Sequence, residues 1–298
     1  MQTVDGIDKW LDSFHEKKPN IKLCISEYGA EGMPNLHSAN PVQGDYTEEY
    51  QAYYHEHYVK AINERKWLWG SYVWNMFDFG SAIRNEGGVR GRNNKGLVTF
   101  DRKTKKDAFY VYKAHWSDEK FVHIAGERFV DRPTGEQKIK VYSNCKSVTL
   151  TVNGEKQELS GDKIFAFDAV IKEGENIITA KSGKCTHKIK INGTDITNPD
   201  YVLPEGCESF VRNWFNAGDE INPDNLSLND SVGDIIFNKE VKRLVKNQAK
   251  ITIDDNHPIL KPIGKIPLKP ISKLASKLGA GEVISMANQF LQTIEKNK

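Results

Sequence analysis

The sequence predicts a multidomain chain in three parts. Residues 1–117 read as α/β, residues 118–192 as an immunoglobulin-like β-sandwich, and residues 193–298 as a linker leading into a partly helical region. Helix-spaced and strand-like runs alternate in the first part. The second part holds about seven short alternating runs divided by turn residues, the pattern of a two-sheet sandwich. The third opens on a polar linker, 192–200, before helical stretches near 232–248 and 272–296.

In the first part, Ile7, Trp10, Leu11 and Phe14 lie at helical spacing before Pro19-Asn20 breaks the run. A short apolar strand, Ile21 to Ile25, follows. It runs into Ser26, Glu27, Tyr28 and a glycine that frees the chain to turn. A second helix is expected over Thr47–Arg65. Thr47 suits the N-cap, acidic Glu48, Glu49 and Glu56 suit the N-terminal half, and Lys60 and Arg65 suit the end. Leu68–Trp74 reads as a strand, and a long glycine-containing loop over 75–96 follows. A loop of that length inside a compact domain is usually functional. Asp107–Trp116 reads as a helix burying Phe109, Val111, Tyr112 and Trp116. This order suits consecutive units of a parallel α/β fold, in which a carboxylate at a strand's C-terminal end faces the active site.

In the sandwich region, Asn153-Gly154 between Val152 and Glu155 is the strongest hairpin signal of the chain. Beyond it, Pro258–Pro270 carries four prolines and reads as an extended connector. Ile284, Ala287, Phe290, Leu291 and Ile294 give the last helix an amphipathic face.

Composition narrows the function. A net charge of +2 in 298 residues gives no reason to expect nucleic acid or an anionic membrane as partner. No apolar run approaches the ~18 residues of a membrane-spanning helix, and Met1–Trp10 lacks the apolar core of a signal peptide. Cys24, Cys145, Cys185 and Cys207 show no metal-ligand spacing, and free thiols in a reducing, cytoplasmic setting are expected. Cys145 and Cys185 could face each other inside a sandwich. His37, His55, His57 and His115 have no metal spacing and read as structural or exposed. No metal and no cofactor are expected.

Four ordered segments carry a resemblance. These are Ile25-Ser26-Glu27-Tyr28-Gly29, the run Trp69 to Phe79, Asn93-Asn94-Lys95-Gly96-Leu97-Val98, and Asp101 to Trp116. Together they resemble glycoside hydrolases of the β-galactosidase/β-glucuronidase family, most closely the β-galactosidases. The resemblance implies that residues 1–117 are the last two β/α units of a (β/α)8 TIM barrel. The sandwich is then similar to the small β-domain that follows the barrel. The chain is expected to be the C-terminal portion of such an enzyme, beginning near the barrel's sixth helix and lacking the general acid/base.

Retaining hydrolysis uses two carboxyl groups ~5–5.5 Å apart. The resemblance makes Glu27 the nucleophile. Trp74 is expected to stack on the sugar, with Asn93, Lys95 and Asp78 as further substrate-binding residues. Asn-x-Lys reads the uronic carboxylate in glucuronidases but occurs in many β-galactosidases too. Without the neighbouring motifs, Glu27 would read as an ordinary loop carboxylate and Trp74 as core. Glu31 reads as a solvated loop charge, and Glu86 as a weak acid/base candidate. The expected partners are a β-linked galactoside or related oligosaccharide, and either the preceding part of the enzyme or a second copy of the chain. The alternative readings are a β-glucuronidase and, in contrast, a non-catalytic carbohydrate-binding or assembly fragment.

Overall fold

A computed structural model describes residues 4, 6–81, 84, 86–204, 222–254, 256–258, 260–270, 287–288 and 290–297. The chain divides into two compact units, Met1–Ser209 and Phe210–Lys298, where the sequence suggested three segments. No helix among the described residues is long and apolar enough to cross a membrane.

The first unit begins with α1 (Gly6–Lys17), β1 (Leu23–Tyr28), α2 (Glu48–Glu64) and β2 (Leu68–Val73). Strands β1 and β2 pair in parallel, as a strand–helix–strand order requires. Thr47 caps α2 as expected, its hydroxyl accepting the Tyr50 N–H at 3.1 Å. In α1, Ile7 and Leu11 are buried, but Trp10 is exposed. The short pair β3 (Phe79–Gly80) and β4 (Arg92–Asn93) lies in the long loop, and α3 (Asp107–Trp116) closes the segment. Helix α3 buries Ala108, Val111, Tyr112 and Ala114, while Trp116, expected inside, is exposed.

Three strands, β5 (Val122–Ile124), β7 (Gly135–Ser143) and β10 (Lys163–Ile171), form one sheet. Five others, β6 (Asp131–Arg132), β8 (Ser147–Val152), β9 (Glu155–Ser160), β11 (Gly174–Ser182) and β12 (Cys185–Gly193), form a second. Both sheets contribute to one apolar cluster, including Ile139, Val141 and Phe167 from the first and Leu150, Ile178 and Ile191 from the second. The β8–β9 turn has positive φ at both Asn153 (51°) and Gly154 (92°), the combination that makes Asn-Gly a hairpin signal. Cys145 and Cys185 are free thiols.

The expected boundary at residue 117 does not separate two bodies, because buried carboxylates bridge it. Glu48 accepts the Asp107 N–H at 2.7 Å and pairs with Arg128 from beyond the boundary. Asp107 accepts from His123 Nε2 at 2.9 Å and from the Gly126 N–H. Glu56 accepts from Tyr142 Oη and Lys140 Nζ. Residues past 192 also belong here, since Tyr201 packs edge-on against His37.

In the second unit, the single helix expected near 232–248 is two, α4 (Val232–Ile236) and α5 (Lys239–Ala249). The break follows from Asn238, whose side chain caps α5 by accepting the Glu240 and Val241 N–H groups. The expected extended connector contains a short helix, α6 (Leu260–Ile263). Its Pro262 sits in the first turn, where a missing N–H costs no helical hydrogen bond. Leu226, Val241, Leu291 and Ile294 form the core of this unit. Most of the helix expected over 272–296, including Ile284, lies outside the described residues, as does Cys207.

His55 of α2 is fully buried and shares a 2.7 Å hydrogen bond with Tyr112 Oη. Burial, reinforced by the charge of Lys106, pushes its pKa from 6.5 down to about 3. Between those values the unfolded chain binds a proton that the folded chain refuses, so stability falls as pH falls, by roughly 1.4 kcal/mol per unit. Urea unfolding of wild type and His55→Gln at pH 7 and pH 5 is expected to show the wild type losing about 2 kcal/mol relative to the variant. An unchanged difference between the two proteins would contradict this origin.

Candidate functional site

Tyr28 and Glu27 sit side by side on β1, and strand alternation sends their side chains to opposite faces. Tyr28 is buried, stacked on Tyr58 of α2 with ring centroids 5.0 Å apart. Glu27 is exposed on the other face. No described residue donates a hydrogen bond to its carboxylate.

The main chain then brings Trp74 alongside. The Trp74 N–H donates to the Tyr28 carbonyl at 2.8 Å. A Cβ on Gly29 would lie 1.8 Å from the Trp74 carbonyl oxygen, so only glycine permits this approach. The Trp74–Asn75 peptide bond is cis. Trp74 is 37% exposed, and its ring lies nearly perpendicular to that of Phe79, with centroids 5.8 Å apart.

The Asn93–Gly96 segment is laced to the residues after Trp74. Asn75 N–H donates to the Lys95 carbonyl at 3.3 Å, Leu97 N–H to Asn75 at 2.9 Å, and Asp78 N–H to Val98 at 2.9 Å. Asn93 is buried, and its Oδ1 accepts the Lys95 N–H at 3.0 Å. A Cβ on Gly96 would fall 2.1 Å from the Asp78 nitrogen, so this close crossing also depends on glycine.

Asp78, expected to bind substrate, is held through one of its two carboxylate oxygens. It is buried, and its Oδ1 accepts from Lys106 Nζ and the Gly96 N–H, both at 2.9 Å. Lys106 is fully buried just ahead of α3, and its ammonium also donates to the carbonyls of Gly32 (2.7 Å) and Asn94 (2.9 Å). All three of its protons therefore have acceptors. One ammonium ties together the loop after β1, the loop after β2 and the Asn-x-Lys segment. Sequence reasoning passed over Lys106 because it ends a polar run, Arg102 to Lys106, that looks solvated.

Glu31 also departs from its reading as a solvated charge. It is 8% exposed, and its Oε2 accepts the Asn94 N–H at 2.9 Å. Its Oε1 has no hydrogen-bond partner and lies 3.7 Å from Arg84 Nη1. Burial pushes its pKa up. Glu86 pairs with Arg84 at 2.7 Å.

Lys95 is partly buried, and no described residue accepts a hydrogen bond or ion pair from its ammonium. Burial pushes its pKa down. Glu31 offsets that most, Arg84 adds to it, and Glu86 and Glu27 also hold the charge on. Glu27 is thus within electrostatic reach of Lys95. Of the five residues expected at the site, Glu27, Trp74, Asn93 and Lys95 share one hydrogen-bonded framework, and Asp78 belongs to its support.

His123, Glu127 and His187 place their ligand atoms within 4.8 Å of one another. His187 Nδ1 accepts the Ile124 N–H at 2.9 Å, which leaves the ring proton on Nε2, 3.2 Å from Glu127. His123 gives its Nε2 proton to Asp107. These groups already satisfy one another, and a metal would have to displace the His187 proton.

Replacing Asp78 by Asn would leave the Lys106 ammonium buried without its counter-charge. Asp78→Asn is expected to destabilise the first unit by about 3–5 kcal/mol in urea unfolding. A loss under about 1 kcal/mol, as for a surface pair, would contradict the role given to this pair.

No family model matches the sequence. The chain is 41% identical over 187 residues to a β-glucuronidase of Bacteroides fragilis, covering 59% of this chain and 27% of that protein. Its structure is similar to an FMN-binding β-glucuronidase from Facaelibacterium prausnitzii L2-6, with a TM-score of 0.66 and 48% identity over 67% of this chain and 31% of the other. It is also similar to a Bacteroides fragilis protein assigned as a β-galactosidase, with a TM-score of 0.61 and 34% identity over 65% and 31% of the two chains. The relatives are thus glycoside hydrolases, and glucuronidases stand ahead of the galactosidases the sequence favoured. The chain spans under a third of the length of these proteins.

Proposed function

We propose that the chain carries the nucleophile half of a retaining β-glycosidase site, with Glu27 attacking the anomeric carbon of a β-glucuronide. On this reading, α1 to α3 with β1 and β2 are the last β/α units of a (β/α)8 barrel, and β5–β12 form the immunoglobulin-like domain after it. The observation that carries the proposal is Lys95, a partly buried ammonium with no described protein acceptor, held in the same framework as Glu27. A uronic carboxylate supplies the direct hydrogen-bonded anion that no described residue gives Lys95, and a charge-assisted hydrogen bond is the strong kind. A galactoside offers Lys95 only a neutral hydroxyl. Trp74 would take the apolar face of the sugar. The sandwich is not given a sugar-binding role, because the exposed large aromatics among the described residues all precede residue 118.

Neither carboxylate near Lys95 is assigned as proton donor. Glu31 accepts from Asn94, and Glu86 pairs with Arg84. Nucleophile chemistry and leaving-group chemistry should therefore separate. Glycosides whose leaving group needs protonation should turn over little or not at all on this chain. A 2-deoxy-2-fluoro-β-glucuronyl fluoride needs no such proton and should form a stable ester on Glu27, read by mass spectrometry of the Glu27 peptide. Glu27→Gln should abolish the label. Lys95→Met should slow labelling by about ten- to hundredfold, the worth of one hydrogen bond to a charge. Faster labelling by the galactosyl analogue would overturn the glucuronide assignment. Label on another carboxylate would overturn the nucleophile.

A further inference from the structure

Glu31, in the loop after β1, is a buried carboxylate whose two oxygens do different things. Its Oε2 accepts the Asn94 N–H at 2.9 Å and so fixes the main chain of the residue just before Lys95. Its Oε1 is buried without a hydrogen bond and lies 3.7 Å from Arg84 Nη1. A protonated Oε1 would be a buried O–H with no acceptor among the described residues, so the surroundings suit the ionised form. Lys95 shows the opposite deficit. Its half-buried ammonium makes no direct pair with any described residue, Glu31 included.

The charged groups acting on Lys95 are Glu31, Arg84, Glu86 and Glu27. Arg84 and Glu86 pair at 2.7 Å, so their effects on Lys95 largely cancel. Glu27 is exposed, and solvent screens its charge. That charge also disappears whenever Glu27 carries a glycosyl ester. Glu31 is buried and far less screened, and no step of the reaction neutralises it. It acts on Lys95 without taking any of its donors.

We propose that Glu31 is a positioning residue for Lys95. It fixes the Asn94–Lys95 main chain and keeps the side chain an ammonium through the whole reaction, including the stage at which Glu27 is esterified. This inference rests on the glucuronide reading above. A carboxylate arriving on the substrate then meets a formed charge with all of its donors free. A direct Glu31–Lys95 pair would compete for those donors. Arg84, beside Oε1, offsets the repulsion between Glu31 and the arriving carboxylate.

Nuclear magnetic resonance of the full chain, with its lysines isotopically labelled at Cε, reads the titration of Lys95 directly. The Lys95 signal is the one missing in Lys95→Met. Glu31→Gln keeps the shape and an oxygen for the Asn94 N–H but removes the charge, and should lower the Lys95 midpoint by about one pH unit. Glu31→Asp keeps the charge and should stay near wild type. An unchanged midpoint in a folded Glu31→Gln would overturn the proposal, as would a midpoint lowered only in Glu31→Asp, the mark of a packing role. If Glu31→Gln does not fold, Glu31→Asp decides: a midpoint near wild type supports the proposal, and a fall of about one unit overturns it. Labelling supplies the functional arm. Above its own Lys95 midpoint, Glu31→Gln should be labelled about tenfold more slowly by the glucuronyl fluoride, while its labelling by the galactosyl analogue changes by less than about twofold. Equal slowing of both would overturn the proposal. The resonance shift needs no label, so an unlabelled Glu27 in wild type, which refutes the glucuronide reading, stays distinct from a failure of this inference.

Discussion

The loops around Glu27 depend on one buried ammonium. Lys106 Nζ meets Asp78 Oδ1 and the carbonyls of Gly32 and Asn94, which lie in three different segments of the chain. Each bond satisfies a polar group that would otherwise be buried at a cost, so the contacts are mutually required. Burial disfavours charge on both partners: it pushes the Lys106 pKa down and that of Asp78 up. Their mutual attraction and three full hydrogen bonds oppose that. The consequence for function is positional. Asp78 also fixes the Gly96 N–H, so Asn93 and Lys95 are held in register with Trp74 by the Lys106–Asp78 pair.

The same economy joins the helices to the sandwich. Glu48 and Asp107 are both buried, and each accepts from residues on the far side of residue 117. Glu56 does the same with Tyr142 and Lys140. Removing any one acceptor would strand several donors. The α/β segment and the sandwich thus form one unit rather than two beads on a linker, and β1 gains a rigid backing through α2 and α3.

Much of this was legible in the sequence where a local rule governs the outcome. Thr47 as a cap, Asn153-Gly154 as a turn and the strands of the sandwich follow from side chain and backbone chemistry within a few residues. That Glu27, Trp74, Asn93 and Lys95 lie in neighbouring segments is anticipated by the order and spacing of their motifs. What sequence missed depends on partners far along the chain. Glu31 reads as a solvated charge, Glu48 and Glu56 only as residues that suit their helix, and Lys106 carries no expectation, because nothing beside them in the sequence announces the groups that neutralise them. Trp116 read as core because an aromatic at helical spacing usually is. Asp78 Oδ1 is held by Lys106 and the Gly96 N–H, which no pattern near Asp78 signals.

Amide hydrogen exchange in Lys106→Met tests this account most directly. The Gly96 and Asn94 N–H groups are held by Asp78 Oδ1 and Glu31 Oε2, while the Ile178 N–H belongs to the sandwich core. If Lys106 organises the site, Gly96 and Asn94 should lose most of their protection while Ile178 keeps its own. Equal protection at all three positions in variant and wild type would show that the loops hold their geometry without the buried ammonium, and the central claim would fail.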